Sequence, residues 1–200
     1  MSLARFMELG LQHPQHGYYS TKDKIFNKGG DFTTSPEISQ MFGESLGIWM
    51  IAAMQNNYGG LGGTNGFTIA EVGPGSGLMM TDMLRTVSQF TDSLRNVDIA
   101  LVEASPNLAA QQQERILAEL QERQNIFLSY DLRTVENRAQ EGNARGSPTE
   151  VKIERFHNKD LNFSISWYPD LKALYNHTLE TQLAALETAR TAAIKAKQAA

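Results

Sequence analysis

The sequence predicts an α/β fold built on about three parallel strands with flanking helices, and three observations carry that prediction. Phe67–Val72 is a short apolar strand segment that runs into Gly73-Pro74-Gly75-Ser76-Gly77, and Met79, Met80, Met83, Leu84 and Val87 follow at helical spacing. Val97–Val102 is a second such segment, closing on Glu103, after which Ser105-Pro106 opens another helix. Strand, helix, strand, helix in this rhythm means parallel strands joined by right-handed crossovers.

The remaining elements follow in order. Leu3, Phe6, Met7 and Leu11 mark an N-terminal helix that His13-Pro14 ends. A loop runs from His16-Gly17-Tyr18-Tyr19 to Asn27-Lys28-Gly29-Gly30. Ser35-Pro36-Glu37 then supplies a cap, a proline suited to the first helical turn, and an acid at the positive helix end. Ile38, Met41, Phe42, Leu46, Trp49 and Ala53 form one apolar stripe, which predicts a helix with Trp49 in the core. Leu108, Gln112, Ile116 and Leu120 define the helix after Ser105-Pro106. Ser129 to Asp160 is polar and broken by Gly142, Gly146 and Pro148. It reads as a mostly surface insertion, in which Val151–Phe156 can pair as a short strand. Phe163–Trp167 is the third strand, and an alanine-rich helix is expected from about Thr178. The chain thus divides into a helical cap and cofactor-covering segment over 1–66, a core over 67–177 with its insertion at 129–160, and a C-terminal helix over 178–200.

Composition narrows the function. The chain has 200 residues, 41% of them hydrophobic, and a net charge of −4, which suits one globular domain and argues against a protein that coats DNA or an anionic membrane. No apolar run reaches the roughly 18 residues of a membrane-spanning helix. Without cysteine there is no disulfide framework and no thiolate metal site, and the four histidines show no metal spacing. His13 and His16 read as residues that stabilise their own turn. No targeting leader is visible.

Three groups of residues carry chemistry. A strand ending in Gly73, Pro74, Gly75 and Gly77 brings bare backbone and helix N–H groups up to a ligand. The third glycine comes four residues after the first, not the five of a dinucleotide fingerprint, and Glu71 stands just ahead of the turn. Both features suit a ligand without phosphate, whose cationic groups can sit near a carboxylate. Glu103 ends the next strand, where a carboxylate accepts both hydroxyls of a ribose. Gly30 to Ser35 adds a carboxylate (Asp31) and three hydroxyls (Thr33, Thr34, Ser35) before a helix start. From the residues alone, each group also has a plain structural reading: a joint between strand and helix, a solvated acid, a helix cap.

The run from Gly29 to Glu44, with His13 to Tyr19, Glu71 to Gly77 and Leu101 to Pro106, closely resembles the MidA-like family of S-adenosylmethionine-dependent methyltransferases. That family includes a mitochondrial protein-arginine methyltransferase that acts in assembly of respiratory complex I. The resemblance spans about Leu3 to Leu120. It implies a Rossmann-like methyltransferase fold, S-adenosylmethionine as cofactor, an arginine side chain as acceptor, a mitochondrial location and a protein partner or multiprotein complex. It assigns cofactor contacts to Asp31, Thr33, Thr34, Ser35, Glu71, Gly73, Pro74, Gly75, Gly77 and Glu103. No catalytic residue is legible. Nothing after Trp167 matches the family's strand beside the first, so the fold is expected to be incomplete and the first strand to have an open edge. The alternative reading is a catalytically inactive scaffold or assembly factor.

Overall fold

The computed structural model describes residues 1–22, 25–26, 29–58, 66–90, 94–137 and 149–199. In chain order these form helices α1 (Leu3–Gln12), α2 (Tyr18–Thr21), α3 (Ser35–Ile38) and α4 (Met41–Tyr58), then strand β1 (Phe67–Val72), α5 (Leu78–Val87), β2 (Val97–Val102) and α6 (Pro106–Ala118). A π-helical turn (Glu119–Arg123) extends α6. Strands β3 (Ser129–Asn137), β4 (Thr149–Asn158) and β5 (Phe163–Tyr168) follow, and α7 (Leu171–Ala199) comes last.

The five strands make one sheet in the order β1-β2-β5-β4-β3. β1, β2 and β5 are parallel, with Ile99 opposite both Ile69 and Ile165. Strand β1 therefore stands at an edge of the sheet, as the sequence led us to expect. The face carrying Val97, Ile99, Leu101, Phe163, Ile165 and Trp167 packs against α4, α5 and α6 and holds the main core. The other face, with Ala100, Val102, Ile153 and Tyr168, is covered by the first turns of α7 through Ala173 and Leu174.

Three expectations are corrected. The first concerns the stretch 129–160, which is not mainly a surface loop. β3 and β4 pair antiparallel over nine register positions, Ser129 opposite His157 through Asn137 opposite Thr149, and widen the sheet beyond β5. A strand at a sheet margin buries little, so its pattern stays polar: Ile153 is fully buried, whereas Tyr130 and Leu132 are exposed. Gly142, Gly146 and Pro148 lie outside the described residues.

Trp49 is the second: it is 67% exposed and not in the core. The helix from Ser35 is also interrupted at Ser39 and Gln40, giving a short α3 and a separate α4. α4 approaches α5 along Gly43 and Gly47. A Cβ added at Gly43 would lie 2.7 Å from Asp82 Cβ and 2.8 Å from the Met79 carbonyl oxygen. Close approach through glycines turns Met50 and Ile51 inward and leaves Ile38, Met41, Ile48 and Trp49 outside.

Third, α7 begins at Leu171, seven residues before the expected Thr178, because Asp170 caps it: its Oδ1 accepts from the Ala173 N–H at 2.7 Å. Among the described residues no helix is long and apolar enough to cross a membrane.

Candidate functional site

The turn after β1 is held in a shape that side chains disfavour. Gly73, Gly75 and Gly77 have φ of 69°, 58° and 75°, in the left-handed region. The Gly73 N–H donates to the Val102 carbonyl at 2.9 Å, and the Gly77 N–H to the Pro74 carbonyl at 2.9 Å. These bonds fix the turn against the end of β2 and start α5 at Leu78. A Cβ at Gly73 would meet nothing within 4 Å, so the backbone there faces open space.

That space is a cleft of about 370 Å³. Six of the ten residues expected from the sequence line it: Thr34, Ser35, Glu71, Gly73, Pro74 and Gly75. Phe26, Phe42 and Met79 add apolar wall, and Pro36 and Ser76 complete the rim beside Thr34 and Gly75. Gly77 lies behind the turn against α6. Glu103 is outside the lining but tied to it, since the Gln112 Nε2 donates both to the Gly75 carbonyl at 2.8 Å and to Glu103 Oε2 at 3.0 Å. Asp31 and Thr33 do not line the cleft. Asp31 accepts from the Tyr18 hydroxyl at 2.5 Å and pairs with Lys22. The Lys22 ammonium, then the Tyr18 hydroxyl, hold its carboxyl below the usual range.

Two carboxylates set the electrostatics. Burial pushes Glu71 up to about 7, and its Oε2 is buried without a hydrogen-bond partner. A buried acceptor left open in this way is a standing demand for a donor or a cation. Burial also raises Glu103, against the pull of the Ser105 N–H at 2.9 Å from Oε1 and of Gln112. Glu103 thus receives protein donors from the Ser105 N–H, the Gln112 amide and the Ala104 N–H. A carboxylate offers about four acceptor positions, so capacity remains for a ligand.

The segment before α3 docks at the ends of β1 and β2. The Ser105 hydroxyl donates to the Tyr19 carbonyl at 2.8 Å, and Asn107 reaches the Ser20 carbonyl at 3.4 Å. Glu37 takes the Thr34 N–H on Oε2 at 3.2 Å and the Ser76 hydroxyl on Oε1 at 2.9 Å. Glu37, Ser76, Phe26 and Gln112 are site residues that the sequence reading did not assign. Two had a signal. Glu37 stands three residues after Thr34, the spacing of a capping box. Gln112 is a polar residue inside the apolar stripe of Leu108, Ile116 and Leu120.

The arrangement therefore gathers a buried carboxyl group at Glu71, open backbone at Gly73 and an apolar wall at one cleft, with Glu103 tied to it through Gln112. Among the described residues no cluster of metal-ligating side chains is present.

Comparison with known proteins gives a consistent result. Residues 45–188 match the model of a family described as "Putative S-adenosyl-L-methionine-dependent methyltransferase". The chain is 36% identical over 173 residues to human "Protein arginine methyltransferase NDUFAF7, mitochondrial", covering 86% of this chain and 33% of that protein. It is 43% identical over 111 residues to the Bos taurus protein of the same name, covering 54% and 24%. The chain thus spans about a quarter to a third of the length of these curated relatives. A Burkholderia thailandensis structure bound to S-adenosyl-homocysteine aligns with a TM-score of 0.48 at 19% identity, covering 90% of this chain and 48% of that one.

Proposed function

This chain belongs to the S-adenosyl-L-methionine-dependent methyltransferase family, and we propose that its glycine turn, Glu71 and Glu103 hold S-adenosylmethionine for methyl transfer to a protein arginine. The observation that carries this reading is the pairing of an open glycine backbone with a buried, unpartnered Glu71 oxygen at the same cleft. A ligand that brings an ammonium or sulfonium charge into the cleft is attracted to that carboxylate. One that brings phosphate is repelled by it.

S-adenosylmethionine held by Glu71, Glu103 and the glycine turn would supply an electrophilic methyl group. The chain's own part is positioning and exclusion of water. Glu71 binds positive charge, and Glu103 orients a ribose through its remaining acceptor capacity. The glycine turn lets the ligand come close to backbone, and Phe26 and Phe42 shield the cleft from solvent. Thr34 and Ser35, at the start of α3, bring hydroxyl groups to the cleft lining.

Arginine as acceptor, a mitochondrial location and a role in assembly come from the relatives' names and the family resemblance, and are part of the proposal. A second reading, a binding and scaffolding role without catalysis, has one observation in its favour. Ile38, Met41, Trp49 and Val72 are all exposed, an apolar surface of a kind that another protein segment can cover. The test is transfer of a labelled methyl group from S-adenosylmethionine to arginine-containing peptides, with lysine-substituted peptides as control. Label on arginine peptides alone supports the enzyme. Cofactor binding without any transfer supports the scaffold.

A further inference from the structure

Gln112 is fully buried, yet its side chain makes three hydrogen bonds and joins the ends of all three parallel strands. Its Oε1 accepts from the indole N–H of Trp167, on β5, at 3.1 Å. Its Nε2 donates to the Gly75 carbonyl, in the turn after β1, at 2.8 Å, and to Glu103, at the end of β2, at 3.0 Å. The amide has only one way to lie. An indole N–H can only donate, and a carbonyl and a carboxylate can only accept, so the oxygen must face Trp167 and the nitrogen must face Gly75 and Glu103. The stem is held too: a Cβ at Gly77 would come within 3.1 Å of Gln112 Cγ, so the absence of a side chain at Gly77 makes room for it.

We propose that Gln112 is a positioning residue: its amide locks the Glu103 carboxylate to the glycine turn and thereby sets a preference for ligands with an intact vicinal diol. The inference rests on the reading of Glu103 as the ribose acceptor. With Oε1 held by Ser105, Oε2 by Gln112 and the Ala104 N–H donating as well, the carboxylate is fixed, and its open acceptor positions keep one direction relative to Gly75. A ligand with both hydroxyls fills them. A 2′-deoxy ligand leaves one acceptor buried and unmatched, a mismatch that a rigid carboxylate cannot relieve by turning. Without Gln112 the carboxylate keeps the Ser105 and Ala104 N–H groups but loses its tie to the glycine turn, and the two ligands should bind more nearly alike.

The experiment is calorimetric titration of the full chain with S-adenosylhomocysteine and with its 2′-deoxy counterpart, for the native protein, Gln112→Met and Gln112→Glu. Gln112→Met removes all three hydrogen bonds at similar volume. Gln112→Glu keeps an acceptor for Trp167 and loses the donor toward Glu103. Thermal unfolding of each sample identifies the folded variants. The native chain should favour the diol ligand by about tenfold or more, the scale of one hydrogen bond to a charged group. In a folded variant the diol ligand should lose about tenfold while the deoxy ligand changes by less than about twofold, so the ratio collapses toward one. Equal losses for both ligands, or an unchanged ratio, overturn the proposal and leave Gln112 as a packing residue. A native chain that binds both ligands equally overturns it as well. A native chain that binds neither overturns the cofactor reading together with it.

Discussion

Ser76 in the glycine turn donates its hydroxyl to Glu37 of α3 at 2.9 Å, across 39 residues of chain, and so fastens the covering segment to the ligand turn. The same carboxylate takes the Thr34 N–H, which makes one side chain both a helix cap and a latch. Glu37→Ala should lower stability by about 1–2 kcal/mol, since a charged acceptor serving two donors is lost. Because Thr34 and Ser35 form part of the cleft wall, cofactor affinity should fall as well. Ser76→Ala should reproduce the affinity loss with a smaller change in the unfolding midpoint.

Glu71 links pH to both stability and binding. Its ordinary value of 4.5 is pushed up to about 7 by burial. The folded chain thus holds a proton that the unfolded chain has released between these values. The Glu71 contribution to stability is fully present below 4.5 and is lost as pH rises through about 7. A cationic ligand binds the ionised form, so affinity should climb by up to about tenfold per pH unit below 7 and level off above it. Calorimetry across pH 5.5 to 8.5 checks this, together with Glu71→Gln. That variant should remove the pH dependence, bind far more weakly, and gain about 1–2 kcal/mol of stability at pH 8 by losing a buried unpaired charge.

Arg85 holds α5 to the π-helical turn. It donates to Asp82 at 2.7 Å and, through two nitrogens, to Glu119 at 3.2 and 3.0 Å, and both acid side chains are only 3% exposed. Arg85→Met should destabilise the fold by about 3 kcal/mol, because buried Asp82 loses its cation, while Glu119 keeps Arg123 at 3.5 Å and the Gln124 amide at 3.1 Å. The deficit should shrink as pH falls and the acids take up protons. Chemical denaturation at pH 7 and pH 5 measures both effects.

Gly43 sets the spacing of α4 on α5. Gly43→Ala places a methyl group where Asp82 and the Met79 carbonyl already lie, and should lower stability by about 1–3 kcal/mol. Gly10, where an added Cβ meets nothing within 4 Å, is the control: Gly10→Ala should be neutral or slightly stabilising.

What the sequence revealed depended on how local each signal was. The glycine turn, Glu71 and the end of β2 at Glu103 were legible because turn chemistry and strand-to-helix spacing lie within a few residues of each other. The three parallel strands were legible for the same reason, since each is a short, mainly apolar segment beside turn or helix-start signals. Trp49 was misplaced because helix packing through Gly43 and Gly47 puts the smallest residues, not the largest, at the contact. Of the β3–β4 pair, Val151–Phe156 on β4 was legible as a segment that can pair, whereas β3 was hidden by its polarity, which a marginal strand can keep. Asp31 shows the limit at the site itself: a carboxylate beside a cleft was legible, but its pairing with Tyr18 and Lys22 depends on how the chain folds back, which no spacing encodes. Gln112 was visible as a polar residue in an apolar stripe, and only the three partners around it give that oddity a meaning.

The most direct test of the central claim is a calorimetric titration of the full chain with S-adenosylmethionine at pH 7.5, alongside Gly75→Val, which adds a branched side chain at φ 58° where a Cβ already comes within 3.2 Å of the Phe26 ring. Binding of about micromolar strength, near −8 kcal/mol, that Gly75→Val abolishes is the expected result. A folded native chain that shows no heat of binding at millimolar cofactor would contradict the account.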